Sequence, residues 1–363
     1  MHPRSETTTP AALAHTSSLS RQAEPGGATG GSPRSTTIHS EPPSSEVALA
    51  AIPAGHAEVL RGLFKTLRPH QWVKNLFVLA PMFFHKDVFL ATAQGPALNL
   101  VVAGRALCAS AVFCLLAGAV YTINDLVDVS VDRVHFIKRR RPIASGVVPV
   151  SVARGMALVL VSLCLGVSYV LAPALAVVAG VYFVENVAYS FWLKKVAFLD
   201  VALIAFGFVL RVLAGGIATA VHVSAYMFAC TALLALFLGF GKRRHELAQD
   251  GAGRQRASLD AYTPRSLDVA LAVTGTATLV TYVAYTLDPL TRAFFNSNHL
   301  WLTAPFTVFG IVRFLRLVSG RAGRGVRAES PTQEMLRDVP FVLNLVLWVV
   351  VIVAIVYKLR PNA

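Results

Sequence analysis

Charge is what this chain of 363 residues has least of: Asp, Glu, Lys and Arg make up 14% of it, against 55% hydrophobic residues. That balance excludes an ordinary soluble globular domain. Cysteine is scarce as well, and Cys108, Cys114, Cys164 and Cys230 all sit in apolar runs without CxxC or Cys/His spacing. Neither a disulfide framework nor a zinc site is supported. His70, His85, His135, His222 and His245 are scattered and lack the i, i+4 spacing of a helical metal site. Carboxylates are few, 19 against 33 Lys and Arg, which leaves a formal net charge of +14. A basic chain of this size raises nucleic-acid binding as a reading, so the placement of the charges has to decide.

Long apolar runs are present in number. They fall near 75–92, 98–123, 150–171, 173–192, 197–219, 224–241, 268–287, 299–314 and 340–357. Each approaches the roughly 20 residues that cross a bilayer core, and lipid leaves helices as the form such runs take. The expected fold is therefore all-α and polytopic, with about nine transmembrane helices. The first run is the weakest, because it contains Pro81, Lys86 and Asp87 and reads as kinked or partly interfacial. Residues 1–58 are rich in Ser, Thr, Pro and Gly and poor in large apolar residues. They read as a disordered tail, leaving 59–363 as one membrane domain.

Nine crossings impose an alternation, and the basic residues obey it. Arg61, Lys65, Arg68 and Lys74 precede the first run, Arg133 and 138–141 follow the second, and Lys194 and Lys195 follow the fourth. Lys242, Arg243 and Arg244 follow the sixth, and Arg313, Arg316 and Arg321 follow the eighth. Positive loops mark the cytoplasmic side, so the net charge is topological and no nucleic acid is implied. The N-terminus and the acidic cluster described next both fall on that side of a cytoplasmic (inner) membrane.

At the end of the second run stands YTINDLVDVSVDRVHFIKRRRPIASG, with Asn124, Asp125, Asp128 and Asp132 spaced to share one face of a helix. Stacked carboxylates repel unless a cation lies between them, and hard oxygen donors suit Mg²⁺, with phosphates and waters completing its shell. Lys138, Arg139 and Arg141 follow at once and suit the phosphate itself. Arg211 lies deep in the fifth run, about three helical turns from Asp200, and reads either as a cavity residue or as the partner of a polar group on another helix. LRPHQWVKN, and Tyr189 with Lys194, sit where either substrate contacts or interfacial anchors belong.

NDLVDVSVD resembles the first Asp-rich motif, NDxxDxxxD, of the UbiA-type intramembrane prenyltransferase superfamily. LRPHQWVKN, DRVHFIKRRRPIASGVV, YSFWLKK, LRVLAGGIAT and GKRRHELA resemble its decaprenyl-phosphate phosphoribosyltransferase branch, over nearly everything from residue 60 onward. The resemblance implies nine helices around a cavity open to the cytoplasm. It implies Mg²⁺-dependent transfer of 5-phosphoribose from phosphoribosyl diphosphate to a long polyprenyl phosphate, supplying a lipid-linked pentose for an envelope polysaccharide such as arabinan. Asp125, Asp128 and Asp132 would be the catalytic metal ligands, with Asn124 as a further ligand or as a residue that orients one. Arg68, Lys74, Lys138, Arg139, Arg141, Tyr189, Lys194, Arg211, Lys242, Arg243 and Glu246 would bind substrate. Members using a prenyl diphosphate donor usually carry a second Asp-rich motif after the sixth span, where this chain has KRRHE. An aromatic or quinone prenyltransferase is therefore the lesser enzyme reading. A transporter is the non-enzyme one, disfavoured because most charge gathers at one membrane face.

Overall fold

The computed structural model describes residues 55–83, 88–92, 95–248, 257–319, 335 and 337–358. Most of the expected tail therefore lies outside the described residues, as do Lys86, Asp87 and Arg321. Its boundary moves: α1 (His56–Thr66) already begins inside the span 1–58.

Among the described residues eight helices are long and apolar enough to cross a membrane. They are α3 (Leu100–Val127), α5 (Val150–Leu171), α6 (Pro173–Phe191), α7 (Leu199–Thr219), α8 (Ala225–Leu247), α9 (Pro264–Leu287), α11 (Ala304–Ser319, lengthened by a turn from Leu300) and α12 (Val339–Val353). Their ends carry the expected stops. The Asn99 side chain accepts from Val101 and Val102 N–H at the start of α3, Ser224 caps α8, and Thr263 with Ser266 forms a capping box on α9. Pro173 opens α6, where a missing N–H costs nothing. Short helices α4 (Val129–Val134) and α10 (Pro289–Phe295) lie between them.

The first apolar run behaves differently. Pro69–Leu79 is a 3₁₀ helix, followed by one turn of α-helix, α2 (Ala80–Phe83), and by a hairpin of β1 (Phe89–Thr92) and β2 (Gly95–Leu98). It runs antiparallel to α3. Arg68 meets Asp125, the Asn75 carbonyl meets Ser110, and the Val88 carbonyl meets Asn99 N–H. From Asn99 to Asp125 α3 rises about 39 Å at 1.5 Å per residue, more than the roughly 30 Å of a hydrocarbon core. The shorter stretch from Pro69 to Leu79 keeps pace because a 3₁₀ helix rises about 2 Å per residue. This segment supplies the ninth span, and Asn75, bound to Ser110 and Cys114, lies about midway along α3 with Lys74 next to it.

Helix α7 is the centre of the assembly, with the largest buried share of the eight, 56%. Its Leu210 and Ala214 join Val78, Phe113, Leu116, Leu175 and Tyr182 in one core. Its Val201 joins Phe237, Leu267, Leu271 and Phe314 in another. Small residues permit this centrality: a Cβ on Gly215 would lie 1.9 Å from the Val78 carbonyl oxygen, so only glycine fits there. Large apolar side chains such as Leu100, Leu158, Val170 and Val346 point outward, as lipid allows.

Candidate active site

The site grows from the C-terminal end of α3. Asp125 lies in its last turn and Asp132 on α4, and both are buried, at 3% and 1% exposure. The expected continuous face through Asn124, Asp125, Asp128 and Asp132 needs correction, because α3 ends at Val127 and Asp128, with φ −84° and ψ 3°, is the junction to α4. Asp128 and Asn124 remain half-buried and form no side-chain hydrogen bond or ion pair among the described residues.

Asp125 and Asp132 converge on one cation. Arg141 Nη1 donates to Asp125 Oδ1 at 3.1 Å and to Asp132 Oδ2 at 2.6 Å. Arg68 Nη2 donates to Asp125 Oδ1 at 2.6 Å, and its guanidinium lies over the Tyr121 ring, 4.7 Å from the centroid. Arg68 holds φ 53°, a left-handed conformation costly for a residue with a Cβ, so these contacts fix an otherwise unfavourable turn.

Among the described residues no three His, Cys, Asp or Glu side chains form a metal-binding group. The pair nonetheless fits a hard divalent cation that takes one or two carboxylates and completes its shell with phosphate oxygens. Asp132 Oδ1 is buried without a hydrogen-bond partner, and Lys138 Nζ stands 4.0 Å from it. That oxygen is an acceptor for which the described residues supply no donor. Arg139 is exposed and stacks over Phe136 at 5.7 Å, away from the pair.

A second group of cations adjoins the first. Lys74 is half-buried within the first crossing, and Lys242, Arg211 and Arg68 lie within electrostatic reach of it. Cations crowd together only where an anion is to be received. Lys242 reaches Glu246 at 3.8 Å and is partly exposed. Tyr189 lies within electrostatic reach of Tyr121 and Arg243, whereas Lys194, half-buried, has no ion pair among the described residues.

Arg243 and Arg211 are placed differently from the sequence expectation. Arg243 has no exposed surface; its Nε donates to Asp200 Oδ2 at 2.7 Å and its Nη1 to Glu246. Asp200 also accepts from Tyr262 Oη at 2.7 Å and Ser258 Oγ at 3.3 Å. Arg243 and Glu246 thus tie α8 to α7 and to the turn before α9, and they are corrected from substrate contacts to structural ones. Arg211, 8% exposed, donates from Nε to Asn75 Oδ1 at 2.7 Å and from Nη2 to Tyr182 Oη at 2.6 Å. Arg211 thus has polar partners on two other segments.

The UbiA prenyltransferase family profile matches residues 78–330, more than half of the chain. The chain belongs to the UbiA prenyltransferase family. It is 35% identical over 306 residues to the decaprenyl-phosphate phosphoribosyltransferase of Corynebacterium glutamicum, covering 82% of this chain and 87% of that one. It is 34% identical over 305 residues to the enzyme of that name from Mycobacterium tuberculosis, covering 83% and 96%. The UbiA homologue of Archaeoglobus fulgidus, solved with DMAPP and Mg²⁺, shares the fold at a TM-score of 0.58 and 17% identity, covering 82% of this chain and all of that one.

Within this UbiA fold, sequence reasoning passed over Asn75, Tyr121, Tyr182 and Glu185. Each is a polar group in or beside an apolar run, which is itself a signal. Gly207 leaves the space between Glu185 and Arg211: a Cβ there would meet Arg211 Nη1 at 3.3 Å and Glu185 Oε2 at 3.7 Å.

Proposed function

We propose that this UbiA family member transfers 5-phosphoribose from phosphoribosyl diphosphate to a long polyprenyl phosphate, decaprenyl phosphate in the first instance, and releases diphosphate. The observation that carries this reading is the composition of the two cytoplasmic helix ends. One brings a buried carboxylate pair and the other brings Lys242 beside Lys74, with its one acidic residue, Glu246, already engaged by Arg243. One metal site and one anion site suit a donor with a diphosphate at one end and a phosphate at the other. Among the described residues they leave no second carboxylate cluster for a prenyl diphosphate donor.

The acceptor phosphate is already an anion, so no base is needed to create the nucleophile. A phosphate oxygen of the polyprenyl lipid bonds to the anomeric carbon as the bond from that carbon to the diphosphate oxygen breaks, and diphosphate leaves with the electron pair. Asp125 and Asp132, with Asp128 alongside, would hold Mg²⁺, whose charge stabilises the departing diphosphate. Arg68 and Arg141 support that end, while Lys74 and Lys242 hold the ribose phosphate. The remaining chemistry is positioning, which the rigid ends of α3 and α8 provide. The isoprenoid lies along lipid-facing apolar surface. A groove of about 840 Å³ between α9 and α11 shares no residue with the site.

Cytoplasmic placement of the site follows from the basic ends. The lipid-linked pentose so formed would serve an envelope polysaccharide such as arabinan. Purified protein incubated with labelled phosphoribosyl diphosphate and decaprenyl phosphate should yield labelled lipid and free diphosphate. Labelled product from prenyl diphosphate and an aromatic acceptor instead, or transport without turnover, would replace this reading.

A further inference from the structure

The 3₁₀ helix of the first crossing is 11 residues long, whereas isolated runs of this geometry seldom exceed three or four. Something outside it must hold its shape. The grip comes from α7, at two points one α-helical turn apart. Arg211 Nε holds Asn75 Oδ1 at 2.7 Å, and Gly215 lets the Val78 carbonyl oxygen press against the α7 backbone. From 211 to 215 an α-helix rises about 6 Å, and from 75 to 78 a 3₁₀ helix rises about 6 Å, so the two contacts are in register.

With three residues per turn, Asn75 and Val78 lie on one face of the 3₁₀ helix and Lys74 lies about 120° away. Asn75 and Val78 are the buried members of that helix, at 1% and 0% exposure. Asn75 is held further by its amide contact to Cys114 Sγ at 3.4 Å and by Ser110 Oγ on its carbonyl. Its rotation therefore decides where Lys74 points. Arg211 is itself fixed by Tyr182 Oη at 2.6 Å and by the faces of Tyr182 and Phe208, 4.8 and 5.1 Å from its guanidinium carbon.

We infer that Arg211 is a positioning residue for the anion site: by holding Asn75 against α7 it sets the rotation of the first crossing and aims Lys74, without touching substrate itself. The choice of Lys74 as the group being aimed rests on the function proposed above; the clamp does not. Lysine at 211 keeps the charge but has no fork with which to reach Asn75 and Tyr182 together.

Two measurements on purified full-length protein test this. The first needs no substrate: pulse labelling of Lys74 with acetic anhydride at a single pH, read by mass spectrometry. Arg211→Lys and Asn75→Ser should each change the labelling rate of half-buried Lys74 severalfold, although the charge at 211 is kept in both. Unchanged rates in the two variants overturn the clamp, and Asn75→Ser decides alone where Arg211→Lys does not fold. The second is kinetic. Each variant should raise the KM for phosphoribosyl diphosphate roughly tenfold, the worth of one charge-assisted hydrogen bond, with kcat within about twofold. The double variant should be no worse than either single one, since both break the same link. Near-normal kinetics for Asn75→Ser with additive loss in the double variant would mean that Arg211 contacts substrate directly, and would overturn the inference. If no phosphoribosyl transfer is seen in wild type, the proposed function fails while the Lys74 labelling rate still decides the clamp.

Discussion

Arg141 Nη1 lies 2.6 Å from Asp132 Oδ2 and shares its charge with Asp125, so a side-chain cation stands between two buried carboxylates. Two anions this enclosed are stable only with compensation. In Arg141→Gln they should repel, and stability in metal-free buffer should fall by about 1–3 kcal/mol, a partly exposed charged partner having been lost. Mg²⁺ should restore most of that loss, because the same oxygens then have a cation again. Thermal unfolding with EDTA and with Mg²⁺ checks this. A variant as stable as wild type without metal, or equally unstable with it, refutes the assignment of the pair to a cation.

Gly215 should tolerate no side chain. A methyl group there would stand 1.9 Å from the Val78 carbonyl oxygen, and backbone cannot move aside as a flexible side chain does. Gly215→Ala should therefore cost at least the roughly 1–3 kcal/mol of an overpacked core. Gly155, with nothing near its Cβ position, serves as the control, and Gly155→Ala should be neutral or better. Denaturation in one detergent compares the two, and equal midpoints would contradict the close approach of α7 to the first crossing.

The eight long helices were legible because the length of an apolar run is set directly by bilayer thickness. The first crossing was not, since its 3₁₀ geometry depends on contacts with α7 made by Asn75 and Val78, which no local pattern announces. Asp125 and Asp132 were visible from their spacing, but the break at Asp128 and the arginine reaching back from 141 are tertiary facts. Arg243 was misplaced for a plainer reason: a basic loop looks the same whether each cation meets solvent or a buried carboxylate. Asp200, an acid in an apolar run, was the available clue to its partner.

That difference between Lys242 and Arg243 separates two neighbouring cations by experiment. Arg243 is fully buried between Asp200 and Glu246, so Arg243→Gln leaves Asp200 a buried charge with only the Tyr262 and Ser258 hydroxyls. Removing one partner of such a pair costs about 3–5 kcal/mol, and the loss should appear as poor yield and a lowered unfolding midpoint. Lys242, partly exposed with a longer 3.8 Å contact to Glu246, contributes little to folding. Lys242→Gln should leave the midpoint within experimental error and raise the donor KM roughly ten- to a hundredfold, since a lost charge-assisted contact is worth about 1.5–3 kcal/mol. The acceptor KM should not move, because the ribose phosphate end is remote from the lipid. If Lys242→Gln destabilises as much as Arg243→Gln with normal donor KM, both residues belong to the scaffold, and the phosphate must be held by Lys74 with some other partner.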